Sequence, residues 1–150
     1  MNKRVLYIVP GLLVLGVDRL VKMLAQSTFP HVLIPGVLAV VPAQNTGMAL
    51  GLFQNHSYLI LIVSVLLVLF SIRLLRRIRP GGLAAASISM IAGGALGNMI
   101  DRVAYGYVID MFKPLFMNFY IFNIADVGVV VGAILCAVSL RFRPQDWSEA

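Results

Sequence analysis

Four apolar segments dominate the chain, running approximately from Val5 to Ala25, Ser57 to Ile72, Leu83 to Ile100 and Asp126 to Leu140. A helix needs about 20 largely apolar residues to cross roughly 30 Å of hydrocarbon, and a helix satisfies its own backbone hydrogen bonds where no water can. Residues 1–150 are therefore read as one integral membrane domain, mostly α, with four transmembrane helices over 5–25, 57–72, 83–100 and 126–140. Composition agrees, since 12% of residues are charged where a soluble domain has roughly a quarter. Lys3 and Arg4 precede the first segment in the manner of a secretory leader. No small-x-small cleavage site follows, however, and Asp18, Arg19 and Lys22 come next, so it is read as a retained helix with a candidate bend at Pro10-Gly11.

The net charge of +6 is a topology signal. Lys3, Arg4, Arg73, Arg76, Arg77, Arg79, Arg141 and Arg143 fall on one side of the membrane, and Arg19, Lys22, Arg102 and Lys113 on the other. Cytoplasmic loops carry the excess of Lys and Arg, so both termini are placed in the cytoplasm. The two long connections, 26–56 and 101–125, then face outward. There is almost no soluble portion on which a nucleic-acid surface could form. Cys136 stands alone, which excludes an internal disulfide, and His31 and His56 belong to no H-E-x-x-H pattern. Neither a metal nor a cofactor is expected.

The acids sort more sharply. Asp146 and Glu149 belong to the cytoplasmic tail, while Asp18, Asp101, Asp110 and Asp126 all fall at outer helix ends or in the outer connection. An ionisable group near hydrocarbon is a functional-site hypothesis by default. Small residues recur every four positions at Ala85, Ser89, Gly93 and Gly97, and again at Gly128, Gly132 and Cys136. Such stripes let helices approach closely in lipid and would bring the outer ends of the third and fourth helices together. Asn98, Asp101 and Arg102 share a helical face there, as do Asn123 and Asp126 if the last helix begins slightly early.

The outer connections differ in texture. In the first, Pro35-Gly36 is a turn signal, Val37 to Val41 is β-prone and Pro42 interrupts it, which reads as edge strand or extended chain before Asn45-Thr46-Gly47. The second holds seven aromatic residues between Tyr105 and Phe122, with Asp110 among them. Aromatic side chains favour the headgroup level, so this segment is expected to lie along the membrane surface.

Two neighbouring carboxylates share a proton because both cannot ionise cheaply, and such a pair can activate water without a metal or a Ser or Cys nucleophile. Asp18 has Arg19 and Lys22 nearby and Asp101 has Arg102 beside it, which suits structural or orienting roles. Asp126 has no charged neighbour within a helical turn and Asp110 has only Lys113, so these two are the better candidates for the pair. Three other readings are open: a small proton-coupled transporter relaying protons through the outer aspartates, an inactive scaffold that keeps the fold but not the chemistry, and a Ser-Lys peptidase built on Ser27 and Lys22.

Asp18-Arg19-Leu20-Val21-Lys22, the stretch from Asn45 to Gly51, the stretch from Gly93 to Arg102, Val108-Ile109-Asp110 and Phe122-Asn123-Ile124-Ala125-Asp126 resemble, in order and spacing, the motifs of bacterial lipoprotein signal peptidase, also called signal peptidase II. The resemblance covers nearly the whole chain. It implies an aspartic endopeptidase of the bacterial cytoplasmic (inner) membrane, with its active site toward the outer, periplasmic face. Its partners would be membrane lipids and the signal peptides of diacylglyceryl-modified prolipoproteins, cut immediately before the lipidated cysteine by a chain acting as a monomer. By the same resemblance Asp110 and Asp126 are the catalytic pair, Asn45, Gly47, Asn98, Asp101, Arg102 and Asn123 shape the site, and Asp18 and Lys22 belong to the motif at the outer end of the first helix. A small extracytoplasmic β-structured cradle is also implied, which Val37 to Asn45 could supply. The chain departs from the pattern at Arg19, where Gln is common, at Met48 and Leu50, where Ala and Phe are usual, and at Met111, where Phe often stands.

Overall fold

The computed structural model describes residues 5–47, 56–77 and 82–147. Met48, Leu50 and the rest of the motif up to Gly51, with Lys3, Arg4, Arg79 and Glu149, lie outside the described residues. The order is α1 (Val5–Gln26), β1 (His31–Ile34), β2 (Leu38–Asn45), α2 (Ser57–Leu75), α3 (Leu83–Tyr105), β3 (Val108–Pro114) and α4 (Ile124–Phe142), followed by a 3-10 turn at Pro144–Trp147.

By length and apolarity α2, α3 and α4 can each cross a membrane. The 22 residues of α1 carry Asp18, Arg19 and Lys22 in their second half. All four helices turn large apolar side chains outward: Leu12, Leu13 and Leu24 of α1, Ile62, Leu66 and Phe70 of α2, Val103 of α3, and Val130, Ile134 and Leu140 of α4 are exposed. A belt of that extent is not sustainable against water and marks a lipid-facing surface.

At the centre lies α3, which packs against α1, α2 and α4. Its small residues make this possible. A Cβ on Gly93 would collide with the carbonyl of Gly11, one on Gly94 with the carbonyl of Ala125, and one on Gly132 would press on Ile91 and Ser87. The small-residue stripes are thus packing surfaces, and Cys136 is half-buried within the second. Pro10 sits inside an unbroken α1, and the amide of the next residue, Gly11, donates to Ser89 Oγ at 2.9 Å on α3.

The three strands form one antiparallel sheet in the order β1-β2-β3. Gly36, at φ +70, makes the turn between β1 and β2, closed by Val37 N donating to the carbonyl of Ile34 at 3.0 Å. Pro at the first corner and Gly at positive φ in the second is a type II arrangement. Between the pairs Val40↔Phe112 and Ala43↔Asp110 the chain advances three residues on β2 and two on β3. That is a bulge, and Pro42, which has no amide to donate, lies within it.

The residues read as an interfacial aromatic segment therefore contain a strand. Val108, Ile109, Asp110 and Met111 are all buried, so β3 shows none of the alternation that marks a half-buried strand. Phe116, Phe119 and Tyr120, which follow it, are exposed. At the far end of the bundle the tail is not simply solvated. Asp146 is buried and accepts a 2.7 Å hydrogen bond from Leu83 N, capping α3 where Gly82 leaves room for the carboxylate.

Candidate active site

Five elements deliver polar side chains to one place at the sheet end of the bundle. Asp110 arrives on β3, opposite Ala43 and diagonal to Asn45 on β2. Gly106, at φ +81, ends α3 and reverses the chain into β3. Asp101 Oδ2 then accepts from Ile109 N at 3.1 Å, which pins the strand back onto the helix. Asp126 arrives in the first turn of α4. Its backbone N donates to Asn123 Oδ1 at 2.9 Å, and its Oδ2 accepts from Asn123 N at 3.2 Å, a reciprocal capping box. The motif Asn123–Asp126 is thus a helix start first, and its aspartate is aimed by that role.

Asn123 joins the two carboxylates. While its main-chain N–H holds Asp126 Oδ2, its side-chain Nδ2 donates to Asp110 Oδ1 at 2.6 Å. Asn45 Nδ2 donates to the other oxygen of Asp110 at 2.8 Å, and Asn98 Nδ2 donates to Asp126 Oδ1 at 2.7 Å. Each of these amides is oriented by a partner that can only donate. Asn45 Oδ1 accepts from Gly47 N at 2.9 Å, Asn123 Oδ1 from Asp126 N, and Asn98 Oδ1 from Lys22 Nζ at 3.0 Å. With the oxygens so engaged, the NH₂ groups must face the carboxylates. Every carboxylate oxygen of the pair thus receives a donor and keeps lone-pair capacity for water or for a proton.

Burial above all pushes the Asp110 carboxyl up to about 6, helped by the negative charge of Asp126 and opposed by the hydrogen bonds from Asn45 and Asn123 and the charge of Lys22. A carboxyl lifted this far by burial and a like charge suits proton transfer near neutral pH.

Behind the pair lies an ion cluster. Lys22 Nζ is 3.0 Å from Asp18 Oδ2 and 2.8 Å from Asp101 Oδ2, and Arg19 reaches Asp18 Oδ2 at 2.9 Å and Asp101 Oδ1 at 2.7 Å. Asp18 Oδ1 also accepts from Ala125 N at 2.9 Å, beside Asp126. The structure corrects one pairing here: Asp101 is neutralised by Arg19 and Lys22 of α1 and not by Arg102, whose guanidinium is turned to backbone carbonyls. Arg102 instead donates through Nη2 to the carbonyl of Gly47 at 2.8 Å and through Nη1 to that of Asn98 at 3.4 Å, holding the end of β2 against α3. Asp18, Lys22, Asn45, Gly47, Asn98, Asp101, Arg102, Asp110, Asn123 and Asp126 are thereby gathered into one network. Arg19 is the member that spacing did not assign; its proximity to Asp18 was legible, its reach across to Asp101 was not. Ser27 lies beyond it, exposed and donating to the carbonyl of Leu24, while Lys22 is ion-paired and buried, so a Ser-Lys arrangement is absent among the described residues. No cluster of three metal-ligating side chains occurs among the described residues.

Residues 11–142 match the family model for Signal peptidase (SPase) II. A lipoprotein signal peptidase of Clostridioides difficile (strain 630) is 36% identical over 143 residues, covering 91% of this chain and 95% of that protein. One from Streptococcus pneumoniae is 33% identical over 145 residues, covering 93% and 95%. Among solved structures, a bacterial membrane enzyme determined by the in meso method at 2.3 Å superposes with a TM-score of 0.84 at 27% identity, covering 90% of this chain and 87% of the other. A second, at 1.9 Å, gives 0.81 at 26% identity, with 91% and 93% covered.

Proposed function

The chain belongs to the signal peptidase II family and is a membrane peptidase, and from that premise we propose an aspartic endopeptidase in which Asp110 and Asp126 activate the attacking water. The observation that carries the reading is Asn123, which holds one oxygen of each carboxylate from a single residue. The substrate is a prolipoprotein whose cysteine already bears diacylglycerol, and the bond cut is the one immediately before that cysteine. Family membership sets aside the proton-transporter alternative, and two intact carboxylates speak against an inactive scaffold.

In the working state the pair carries one proton. Its ionised member takes a proton from water as the water oxygen attacks the scissile carbonyl carbon, and its protonated member gives its proton to the carbonyl oxygen. Collapse of the tetrahedral intermediate breaks the C–N bond, a proton passes to the leaving nitrogen, and the products are a signal-peptide carboxylate and a free amine on the lipidated cysteine. The donors from Asn45, Asn98 and Asn123 fix the carboxylates, so the O–H of the protonated member must point away from them, into the site.

The placement follows from the same features. We read α1 as the fourth span: at 22 residues it is about 33 Å long, and its apolar side chains face outward. Arg73, Arg76, Arg77, Arg141 and Arg143 lie at the C-terminal ends of α2 and α4, away from the sheet, and this basic end supports a reading with both termini in the cytoplasm and the site at the outer face of the inner membrane. One chain supplies every element of the site, consistent with a monomer. The sheet is the extracytoplasmic cradle, resting beside lipid that accommodates the substrate's acyl chains.

The test is cleavage of a synthetic signal peptide, with and without diacylglycerol on its cysteine, by the purified protein in detergent. The lipidated peptide should be cut before the cysteine, as read by mass spectrometry, and the bare peptide should not. Because the Asp110 carboxyl lies at about 6 with Asp126 charged, the last proton leaves the pair there. Raising the pH through that value should therefore lower kcat/KM, which reports the free enzyme. Equal cleavage of both peptides, or a kcat/KM with no alkaline fall, would sink the proposal.

A further inference from the structure

Arg19 has no task in the chemistry described above. Asp18 and Asp101 bring two negative charges to the cluster, and Lys22 alone would balance one of them. The Arg19 guanidinium supplies the second positive charge, with Nη2 on Asp18 and Nη1 on Asp101. Nη2 also donates to the carbonyl of Gly97 at 3.1 Å, so one side chain of α1 clamps two points on α3. A planar fork can grip two separate carboxylates in this way, where a compact ammonium cannot do so from the same stem. The side chains of Asp18, Lys22 and Asp101 are at most 1% exposed, whereas that of Arg19 keeps 27%. Arg19 is where the cluster meets the surface.

The consequence runs through Lys22. Its three donors go to Asp18, Asp101 and Asn98 Oδ1, and the third of these, together with Asn123 Nδ2 donating to the same oxygen at 3.0 Å, turns the Asn98 amide toward Asp126. Two aspartates with one ammonium between them would draw Lys22 into their own neutralisation and leave a negative charge behind the pair. We infer that Arg19 is a positioning residue for cleavage: by holding one oxygen of each aspartate it balances the cluster and leaves Lys22 free to orient Asn98, and through Asn98 the Asp126 carboxylate. The inference rests on the reading of Asp110 and Asp126 as the catalytic pair. The charged groups around that pair are Asp18, Arg19 and Lys22 from α1 and Asp101 and Arg102 from α3; β2 presents the neutral Asn45, and on β3 Lys113 is exposed.

The experiment measures cleavage of the lipidated peptide across pH for Arg19→Gln and Arg19→Lys, beside Asp110→Asn and Asp126→Asn. Arg19→Gln should lower kcat about tenfold with KM held within about twofold, since misplacement of a catalytic group acts on the chemical step. It should also move the alkaline limb up by about half a pH unit, because losing a positive charge makes nearby carboxyls harder to ionise. Arg19→Lys keeps the charge and should return the limb to its original position. Should Arg19→Gln fail to purify, Asp18→Asn carries the opposite imbalance and should move the limb down. An unmoved limb in the charge-changing variants, an equal displacement in Arg19→Lys, or a loss confined to thermal stability overturns the inference. Near-normal cleavage by Asp110→Asn or Asp126→Asn brings down the catalytic pair itself. Inactive aspartate variants beside an unmoved Arg19→Gln limb bring down the role of Arg19 alone.

Discussion

Asp110→Asn and Asp126→Asn should each slow cleavage of the lipidated peptide by at least about a thousandfold, within the range that positioned acid–base groups contribute. Neither amide can take a proton from water at neutral pH. The double variant should be no slower than the slower single one, because two groups that share one proton act as a unit. Both replacements carry a structural cost that must be separated from the chemical one. Each oxygen of either aspartate accepts a hydrogen bond, so an NH₂ in place of one oxygen faces a donor, at a cost of about 1–3 kcal/mol. A thermal melt in detergent, run beside the kinetics, should therefore show a cooperative but lowered transition. Turnover within about tenfold of the unmodified enzyme in either folded variant would remove that residue from the catalytic step.

How much of this was readable in advance depends on where each residue's partner lies. Helices α2, α3 and α4 were legible because apolar length is a property of the segment itself, and the stripe through Gly93 and Gly97 because close helix approach needs small residues at a fixed spacing. The singling out of Asp110 and Asp126 came from counting nearby charges, and it separated them from Asp18 and Asp101, which the structure places among the cations. The same counting paired Asp101 with Arg102, because spacing along one helix does not show that the carbonyls of Gly47 and Asn98 claim the guanidinium. Strand β3 escaped notice for a related reason. Ile109 and Met111 pack with Val21 and Ala25 of α1 while Asp110 is held by Asn45 and Asn123, so Val108 to Met111 are uniformly buried and period-two alternation, the signal of a half-covered strand, is absent. The buried cap from Asp146 to Leu83 joins residues 63 positions apart, and no local pattern announces it.

Lys22→Met should be the most destabilising single change in the cluster. Methionine fills much of the same volume, so packing is largely kept, and what is lost is a charge whose partners are sealed from water. Asp18 and Asp101 are 0% exposed, and with Arg19 as their remaining counter-charge one carboxylate must stay uncompensated or take up a proton. Breaking a buried ion pair from one side costs about 3–5 kcal/mol, enough to reduce sharply the yield of folded protein and its melting temperature. Two further changes separate charge from shape. Adding Asp101→Asn to Lys22→Met leaves Arg19 opposite Asp18, one charge of each sign, and should recover part of the lost stability. It should not recover full cleavage, because Asn98 Oδ1 keeps only the donation from Asn123 Nδ2 and still lacks the ammonium that helped turn its amide toward Asp126. Stability and activity should therefore part company in the double variant. If Lys22→Met melts within roughly two degrees of the parent, a shift corresponding to about 0.5–1 kcal/mol, the cluster is not a balanced quartet. If instead the double variant regains turnover along with stability, Lys22 serves the fold alone and the orientation of Asn98 is set by other means.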